Sequence, residues 1–277
     1  MTPELTYLGF LALALVPPTA VLFVLALRRG RALDRPLVAG TALVTFIGFV
    51  YTVPWDNALI ARGVWWYGEG VVFATIHLAP VGEYLFILSQ PLLTALWLAL
   101  LRTRDSSADT EGAAATDEVT PSVRVSRRQR LGGAVAGGAV SVVGLAMLAA
   151  ESTFYLGAIL AWAGPVLAVQ WAFGWPYLLR HRRRVALAVL VPTAYLAAAD
   201  RVAIELGLWT ISPRFTTGLT VLGLPVEEGA FFLLTNVFVI QGLVLFLWVV
   251  ERPDAASFRS RSGVAEPVDT AETVEGS

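Results

Sequence analysis

Seven apolar segments, each about the length needed to cross a bilayer, dominate the sequence. A transmembrane helix needs about 20 mostly apolar residues. The segments that meet this requirement are 7–27, 36–54, 80–101, 131–150, 154–179, 185–199 and 224–250. In a bilayer, a helix can satisfy its backbone hydrogen bonds within itself. The sequence therefore predicts an all-α integral membrane protein with seven transmembrane helices.

The composition agrees with a lipid environment and excludes several kinds of chemistry. Apolar residues make up 56% of the chain and charged residues 15%, whereas soluble domains carry about a quarter charged residues. A net charge of -1 gives no reason to expect a nucleic-acid partner. The chain has no cysteine, only two histidines and no lysine, so thiolate catalysis and a lysine Schiff base are excluded and we expect no metal site. Dinucleotide and nucleotide motifs are also missing, so no cofactor is evident.

Arginines are distributed unevenly between the two sides of the membrane. They cluster after the first, third, fifth and seventh segments, whereas the alternate loops contain only Arg62, Arg201 and Arg214. By the positive-inside rule, the N-terminus lies outside and the C-terminus in the cytoplasm. We therefore expect a multi-pass protein of the cell membrane.

Three pairs of sequence blocks reveal an internal repeat. YLGFLALALVP at 7–17 matches YLGAILAWAGP at 155–165, YTVPWDNALIARGVWW at 51–66 matches YLAAADRVAIELGLWT at 195–210, and PVGEYLF at 80–86 matches PVEEGAF at 225–231. The matched letters include Asp, Glu, Trp and Pro, which chance similarity between apolar helices would not supply.

The repeat predicts how the chain is organised. We expect two parallel three-helix repeats, joined by an adaptor helix that restores the orientation of the second copy. The predicted units are a first repeat at 1–102, an acidic polar linker at 103–130, the adaptor helix at 131–153, a second repeat at 154–252 and a disordered acidic tail at 253–277.

Carboxylates recur at matching positions of the two repeats. Asp56 and Asp200 lie near the ends of the second and sixth segments, and Glu83, Glu227 and Glu228 follow a proline at the start of the third and seventh. A single Pro-x-x-Glu can simply mark a helix start, where the helix dipole favours an acid by about 0.3–1 kcal/mol. Carboxylates within a membrane segment cost about 2.5–3.5 kcal/mol and face the bundle interior. Two copies therefore favour a converging acidic set, and a carboxyl group that stays protonated can protonate an alkene.

Aromatic residues accompany these acids. Tryptophans near the outer ends of the helices can form an interfacial belt. They can equally form a π-lined pocket that stabilises a carbocation by about 0.5–2 kcal/mol per ring. The candidate substrate-binding residues are Trp55, Trp65, Trp66, Trp209, Phe86 and Phe231.

The paired Tyr-x4-Asp-x8-Trp and Pro-Val-x-Glu-x-x-Phe blocks resemble the membrane lycopene cyclases of the heterodimeric type, in the fused form found in haloarchaea. The similarity covers about residues 5 to 250 and is strongest in PVEEGAFF at 225–232. The first copy departs from it, because Gly82 stands where the second copy has Glu227.

The resemblance implies the conversion of lycopene to β-carotene, with lycopene and other linear carotenoids as ligands and no net redox change. An acid protonates the terminal double bond, the neighbouring alkene closes a six-membered ring, and a base removes a proton. We expect Glu228 or Glu227 to be the proton donor and Glu83 its counterpart. Asp56 and Asp200 would act as base or as supporting partners, with Trp65 and Trp209 as cation stabilisers. A transporter or proton channel with intramembrane carboxylates is the alternative.

Overall fold

Seven long helices form the protein in the computed structural model, which describes residues 5–112 and 124–251. Within these ranges, all seven are long and apolar enough to cross a membrane, which confirms the all-α membrane fold. The helices are α1 Tyr7–Arg28, α2 Arg35–Arg62, α3 Val81–Gly112, α4 Arg127–Met147, α5 Phe154–Arg180, α6 Arg182–Glu205 and α7 Val226–Val250. The short strands are β1 Trp65–Tyr67, β2 Thr75–Ile76, β3 Ala79–Pro80, β4 Trp209–Ile211, β5 Thr220–Val221 and β6 Leu224–Pro225. Single 3₁₀ turns lie at Arg31–Leu33 and Glu151–Thr153.

Local sequence explains where several helices begin and end. The side chain of Asp34 accepts a hydrogen bond from Leu37 N and starts α2, and Gly63 ends it in the left-handed conformation (φ 75°) that glycine tolerates. The sequence prediction ended this segment at residue 54, but α2 continues through Pro54 to Arg62. Proline is tolerated inside a membrane helix because neighbouring helices satisfy the freed backbone groups. The sixth segment, predicted to end at 199, likewise continues to Glu205.

The helices on either side of the predicted polar linker extend into it. Residues 103–112 continue α3 as helix, because this acidic stretch contains no proline or glycine before Gly112 that would break a helix. The adaptor helix begins at Arg127 rather than at 131, after a capping box in which Ser126 and Gln129 satisfy each other's backbone N–H groups. Residues 113–123 of the linker and the predicted tail at 253–277 lie outside the described residues.

The order of the elements in the first half recurs in the second. Two helices, one strand, a two-stranded hairpin and a third helix form each half, and α4 stands between them. Strands β1 and β4 pair antiparallel, with Trp66 opposite Thr210 at the centre. These two residues are equivalent in the repeat, so the pairing is symmetric with respect to the two halves. Tyr51 donates to the Trp162 carbonyl at 2.8 Å, and the equivalent Tyr195 donates to the Ala14 carbonyl at 2.5 Å.

Helix α4 packs closely along α5. A Cβ added at Gly133, Gly137 or Gly144 would overlap backbone atoms of α5. Small residues of this kind allow two membrane helices to approach each other closely. The parallel orientation of the two repeats and the adaptor role of α4 remain predictions.

A buried polar cluster connects the third helix of each half. Asn236 on α7 accepts hydrogen bonds from Gln90 and Thr94 on α3, both at 2.7 Å, and its amide donates to Thr193 on α6 at 3.1 Å. Such bonds between membrane helices contribute about 0.6 kcal/mol each on average. They hold α3 and α7 in register about two turns from the first-turn glutamates of the same helices.

Candidate active site

Four of the five predicted carboxylates line one cavity. Asp56 from α2, Glu83 from α3, Asp200 from α6 and Glu228 from α7 all contribute to its wall. The cavity encloses about 700 Å³ of space outside protein atoms, including its mouth. Asp56, Asp200 and Glu228 are buried, with 6%, 4% and 5% of their surface exposed to solvent. The structure therefore brings the repeat-related acids together at one cavity.

A tyrosine hydroxyl donates a hydrogen bond to Glu83. The Tyr67 hydroxyl donates to Glu83 Oε1 at 2.6 Å and accepts from the Trp65 indole N–H at 2.9 Å. Burial, with the nearby Glu83 carboxylate as a second cause, raises the pKa of Tyr67 well above its usual range, so its proton stays available for donation. The Tyr7 phenol also faces Glu83 from α1. Glu83 is therefore held as a hydrogen-bond acceptor.

Glu228 lies in a different environment, although it is the repeat partner of Glu83. Tyr155 faces it, as Tyr7 faces Glu83. The position equivalent to Tyr67 is Ile211, which cannot donate a hydrogen bond. Among the described residues, the buried Oε1 atom of Glu228 has no hydrogen-bond partner. Each glutamate thus has a tyrosine beside it, Tyr7 for Glu83 and Tyr155 for Glu228, and Glu83 alone of the two has the additional donor Tyr67.

The two aspartates complete the acidic set. Asp200 Oδ1 accepts from the Trp209 indole N–H at 2.9 Å. Within the described part of the chain, the buried Oδ2 atoms of Asp56 and Asp200 have no hydrogen-bond partner. Unpaired buried oxygens are costly in an apolar environment and are found at sites where groups await a proton or a ligand.

Aromatic rings form much of the remaining wall. Tyr7 and Trp209 meet edge to face with centroids 5.1 Å apart, and the repeat-related pair Tyr155 and Trp65 lies at 5.7 Å. Trp55 stacks on Phe231 at 5.9 Å with an interplanar angle of 6°. Other lining residues are aliphatic or phenylalanine. The cavity therefore combines proton-transfer groups with π faces and an apolar surface, which suits acid–base chemistry on a hydrocarbon.

Several known proteins have sequences similar to this chain. A lycopene beta-cyclase of Halobacterium salinarum is 50% identical over 247 residues, covering 89% of this chain and 98% of the relative. This chain belongs to the lycopene beta-cyclases. A bifunctional lycopene cyclase/phytoene synthase of Sporisorium reilianum is 33% identical over 251 residues, 87% of this chain but 35% of that protein. One of Leptosphaeria maculans is 32% identical over 232 residues, 83% of this chain and 39% of the relative.

No protein-family model and no solved structure matches the chain. The relatives do not support the transporter or proton-channel alternative.

Most of the predicted aromatic residues line the cavity. Those that do are Trp55, Trp65, Trp209, Phe86 and Phe231. Trp66 does not line the cavity and is 49% exposed, because successive residues of a strand face opposite sides.

Glu227 is buried but faces away from the cavity. Its Oε1 atom accepts from Thr217 N at 2.7 Å and from the Thr217 hydroxyl at 2.8 Å. This pair of bonds ties the loop before β5 to the start of α7. The geometry thus gives Glu227 a role in positioning the second hairpin.

Three tyrosines at the site were not singled out from the sequence. Tyr7 and Tyr155 begin the first pair of matched blocks, so the repeat itself contained a signal for them. Tyr67 lies just after the matched block that ends at Trp66, and nothing in the sequence distinguishes it from other interfacial tyrosines. The structure also explains the departure at Gly82, because a Cβ there would lie 2.5 Å from the Tyr7 ring. Glycine lets that ring lie over the start of α3.

Proposed function

We propose that this chain closes the end rings of lycopene to give β-carotene, as an intramolecular lyase or isomerase of carotenoid biosynthesis. Family membership supports the reaction and its substrate. The observation that carries the mechanism is the convergence of four carboxylates, three of them buried, and several aromatic rings on one cavity.

Glu228 is the proton donor in this proposal. Its proton adds to the terminal carbon–carbon double bond, which leaves a tertiary cation on the adjacent carbon. The next double bond attacks that cation, and a carbon–carbon bond closes the six-membered ring. The new ring cation then loses a proton to Glu83, which leaves a double bond in the ring. One proton enters and one leaves, so the substrate is isomerised without oxidation or reduction.

The unequal hydrogen bonds of the two glutamates support this division of roles. An ionised carboxylate only accepts hydrogen bonds, and a neutral carboxyl group has a proton to give. Glu83 accepts from Tyr67 at 2.6 Å, within the range of strong bonds between a hydroxyl and an anion. Glu228 has no such donor on its Oε1 atom within the described residues. Asp56 and Asp200, on the same cavity wall, would support the return of the proton from Glu83 to Glu228.

Trp65 and Trp209 act as cation stabilisers in the proposal. Each indole N–H is engaged, by Tyr67 and by Asp200 respectively, which fixes the direction of the ring. A fixed indole face contributes about 0.5–2 kcal/mol to a nearby cation. Because the cation exists only during the reaction, this stabilisation accelerates the chemical step.

The membrane setting follows from the same proposal. Lycopene and other linear carotenoids would enter from the bilayer, with the N-terminus of the protein outside and the C-terminus in the cytoplasm. Because the sequence has no dinucleotide-binding motif and the reaction has no net redox change, we expect no flavin or nicotinamide requirement. Purified protein in lipid vesicles should cyclise lycopene without added cofactor.

Pigment analysis tests the function directly. The chain is expressed in cells that accumulate lycopene, and the carotenoids are separated and identified. We expect β-carotene with the unaltered chain and with Glu69→Gln, a control at an exposed site, but unchanged lycopene with Glu228→Gln. Lycopene left unconverted in membranes that contain the unaltered protein would overturn the function. Full activity of Glu228→Gln would remove this residue from the mechanism.

A further inference from the structure

A second cavity lies next to the active-site cavity, between α2, α3, α5 and α7. Phe86 and Phe231 line both cavities. From there the second cavity, called the α2–α7 groove below, follows α7 from Phe231 to Phe246. At 1.5 Å per residue, this part of α7 is about 22 Å long. The groove includes about 1430 Å³ of space outside protein atoms, counting its opening.

The groove presents an almost entirely apolar surface. Its wall consists mainly of aliphatic and aromatic side chains. Two of the polar residues that line it are bonded to backbone carbonyls: the Tyr51 hydroxyl donates to Trp162 O at 2.8 Å, and the Gln170 amide donates to Phe238 O at 2.9 Å. Among the described residues, Trp162 Nε1 and Gln170 Oε1 have no hydrogen-bond partner. A flat hydrocarbon chain fits such a wall, because it needs contact with carbon atoms and ring faces and no hydrogen bonds.

Ring contacts lead from the active site into the groove. Trp55 of the active-site cavity stacks on Trp162 at 4.9 Å, and Trp162 in turn contacts Phe238 at 5.0 Å. Both Trp162 and Phe238 line the groove. A conjugated chain leaving the cavity past Phe231 would therefore meet a continuous series of aromatic rings.

The region that the repeat relates to this groove, on the other side of the molecule, is crossed by a hydrogen bond between α3 and α6. Gly242 lines the groove, and its equivalent in the first half is Trp97. The Trp97 indole donates to the Leu187 carbonyl at 3.1 Å and so connects α3 to α6. Gly48, another lining residue, is replaced by Pro192 at the equivalent position. The two glycines keep this side open, whereas a tryptophan crosses the other side.

We propose that the α2–α7 groove binds the polyene chain of the substrate while one acyclic end occupies the active-site cavity. The inference rests on the proposed function and adds the site for the unreacted part of the substrate. A chain about as long as the apolar core of a bilayer, about 30 Å, extends well beyond the cavity, and the groove accommodates it within the membrane. Since the equivalent side is bridged by Trp97, the two ends react in turn, with the chain reversed between ring closures.

Gly48→Trp tests the groove, with Gly138→Trp as its matched control. Both glycines lie in transmembrane helices, are half-buried and have nothing within 4 Å of a built Cβ. Gly48 lines the groove, whereas Gly138 lies on α4 and lines neither cavity. Replacing a helical glycine removes a residue that disfavours helix, so both variants should insert. The smaller Gly48→Leu gives a graded version of the obstruction.

Two substrates separate an obstructed groove from a damaged active site. One is lycopene, and the other is a truncated polyene with the same acyclic end but too short to pass Phe86 and Phe231. We expect Gly48→Trp to lower kcat/KM for lycopene by about tenfold or more through lost apolar contact, with the truncated substrate and the Gly138→Trp control unaffected. Gly48→Leu should fall between.

Each of the remaining outcomes would overturn either the groove inference or the proposed function. Unchanged lycopene kinetics for Gly48→Trp would mean that the groove holds only lipid chains, and would refute the inference while leaving the proposed function intact. Equal losses on lycopene and on the truncated substrate would also refute it. Failure of the unaltered protein on both substrates would refute the proposed function itself.

Discussion

Replacing Tyr67 with phenylalanine removes one oxygen atom and tests why the two halves differ. The lost hydroxyl donates to Glu83 Oε1 at 2.6 Å. A hydrogen bond to a charged group contributes about 1.5–3 kcal/mol, and each 1.4 kcal/mol corresponds to about tenfold in an equilibrium or a rate. Glu83 must be ionised to accept the proton from the ring cation, and loss of this bond disfavours the ionised form, so Tyr67→Phe should lower kcat by about 10-fold to 150-fold.

The same variant should leave substrate binding almost unchanged. Tyr67 does not line the cavity, so KM for lycopene should stay within about twofold. Tyr195→Phe serves as the control, because it removes a hydroxyl bonded to the Ala14 carbonyl and should retain the unaltered kcat. The assay is the initial rate of ring formation in vesicles that contain equal amounts of each variant. A Tyr67→Phe variant with unaltered kcat would refute the assignment of Glu83 as proton acceptor.

Three further substitutions test the roles of Glu228, Glu227 and Gly82. Ile211→Tyr should place a phenol beside Glu228, bind the acid as an acceptor and lower kcat; an unchanged rate would contradict its role as donor. Glu227→Gln should retain kcat and lower thermal stability by about 1 kcal/mol, because its carboxylate binds the loop before β5; loss of ring formation in folded protein would return this residue to the mechanism. Gly82→Ala should cost about 1–3 kcal/mol of stability by overpacking against the tyrosine ring above it, which a thermal melt measures; an unchanged melt would contradict the tight contact.

The helices and the acidic set could be predicted from the sequence because their signals are local or repeated. Apolar length identifies a membrane helix in any context, and the Pro-x-x-Glu motif begins α3 at Val81 and α7 at Val226 as expected. The convergence of Asp56 and Asp200 follows from their equivalence once the two halves pack together.

The side chains that face the cavity could not all be chosen from the sequence. Glu227 and Glu228 are adjacent on α7, and adjacent helical residues point about 100° apart, so only the rotation of the helix decides which one faces the site. Trp65 and Trp66 pose the same problem in a strand, where neighbours face opposite sides. The donor Tyr67 depends on the pairing of β1 with β4, which joins distant parts of the chain and has no local signal.

Deuterium incorporation tests the central claim, that ring closure begins with a proton from the protein. The enzyme is equilibrated in D2O, mixed with lycopene below the enzyme concentration, and stopped after one turnover; the product is analysed by mass spectrometry. A proton donated by Glu228 would by then be deuterium, so the account predicts one added deuterium for each ring closed. Cyclised product without deuterium would contradict proton transfer from the carboxyl group and with it the proposed mechanism.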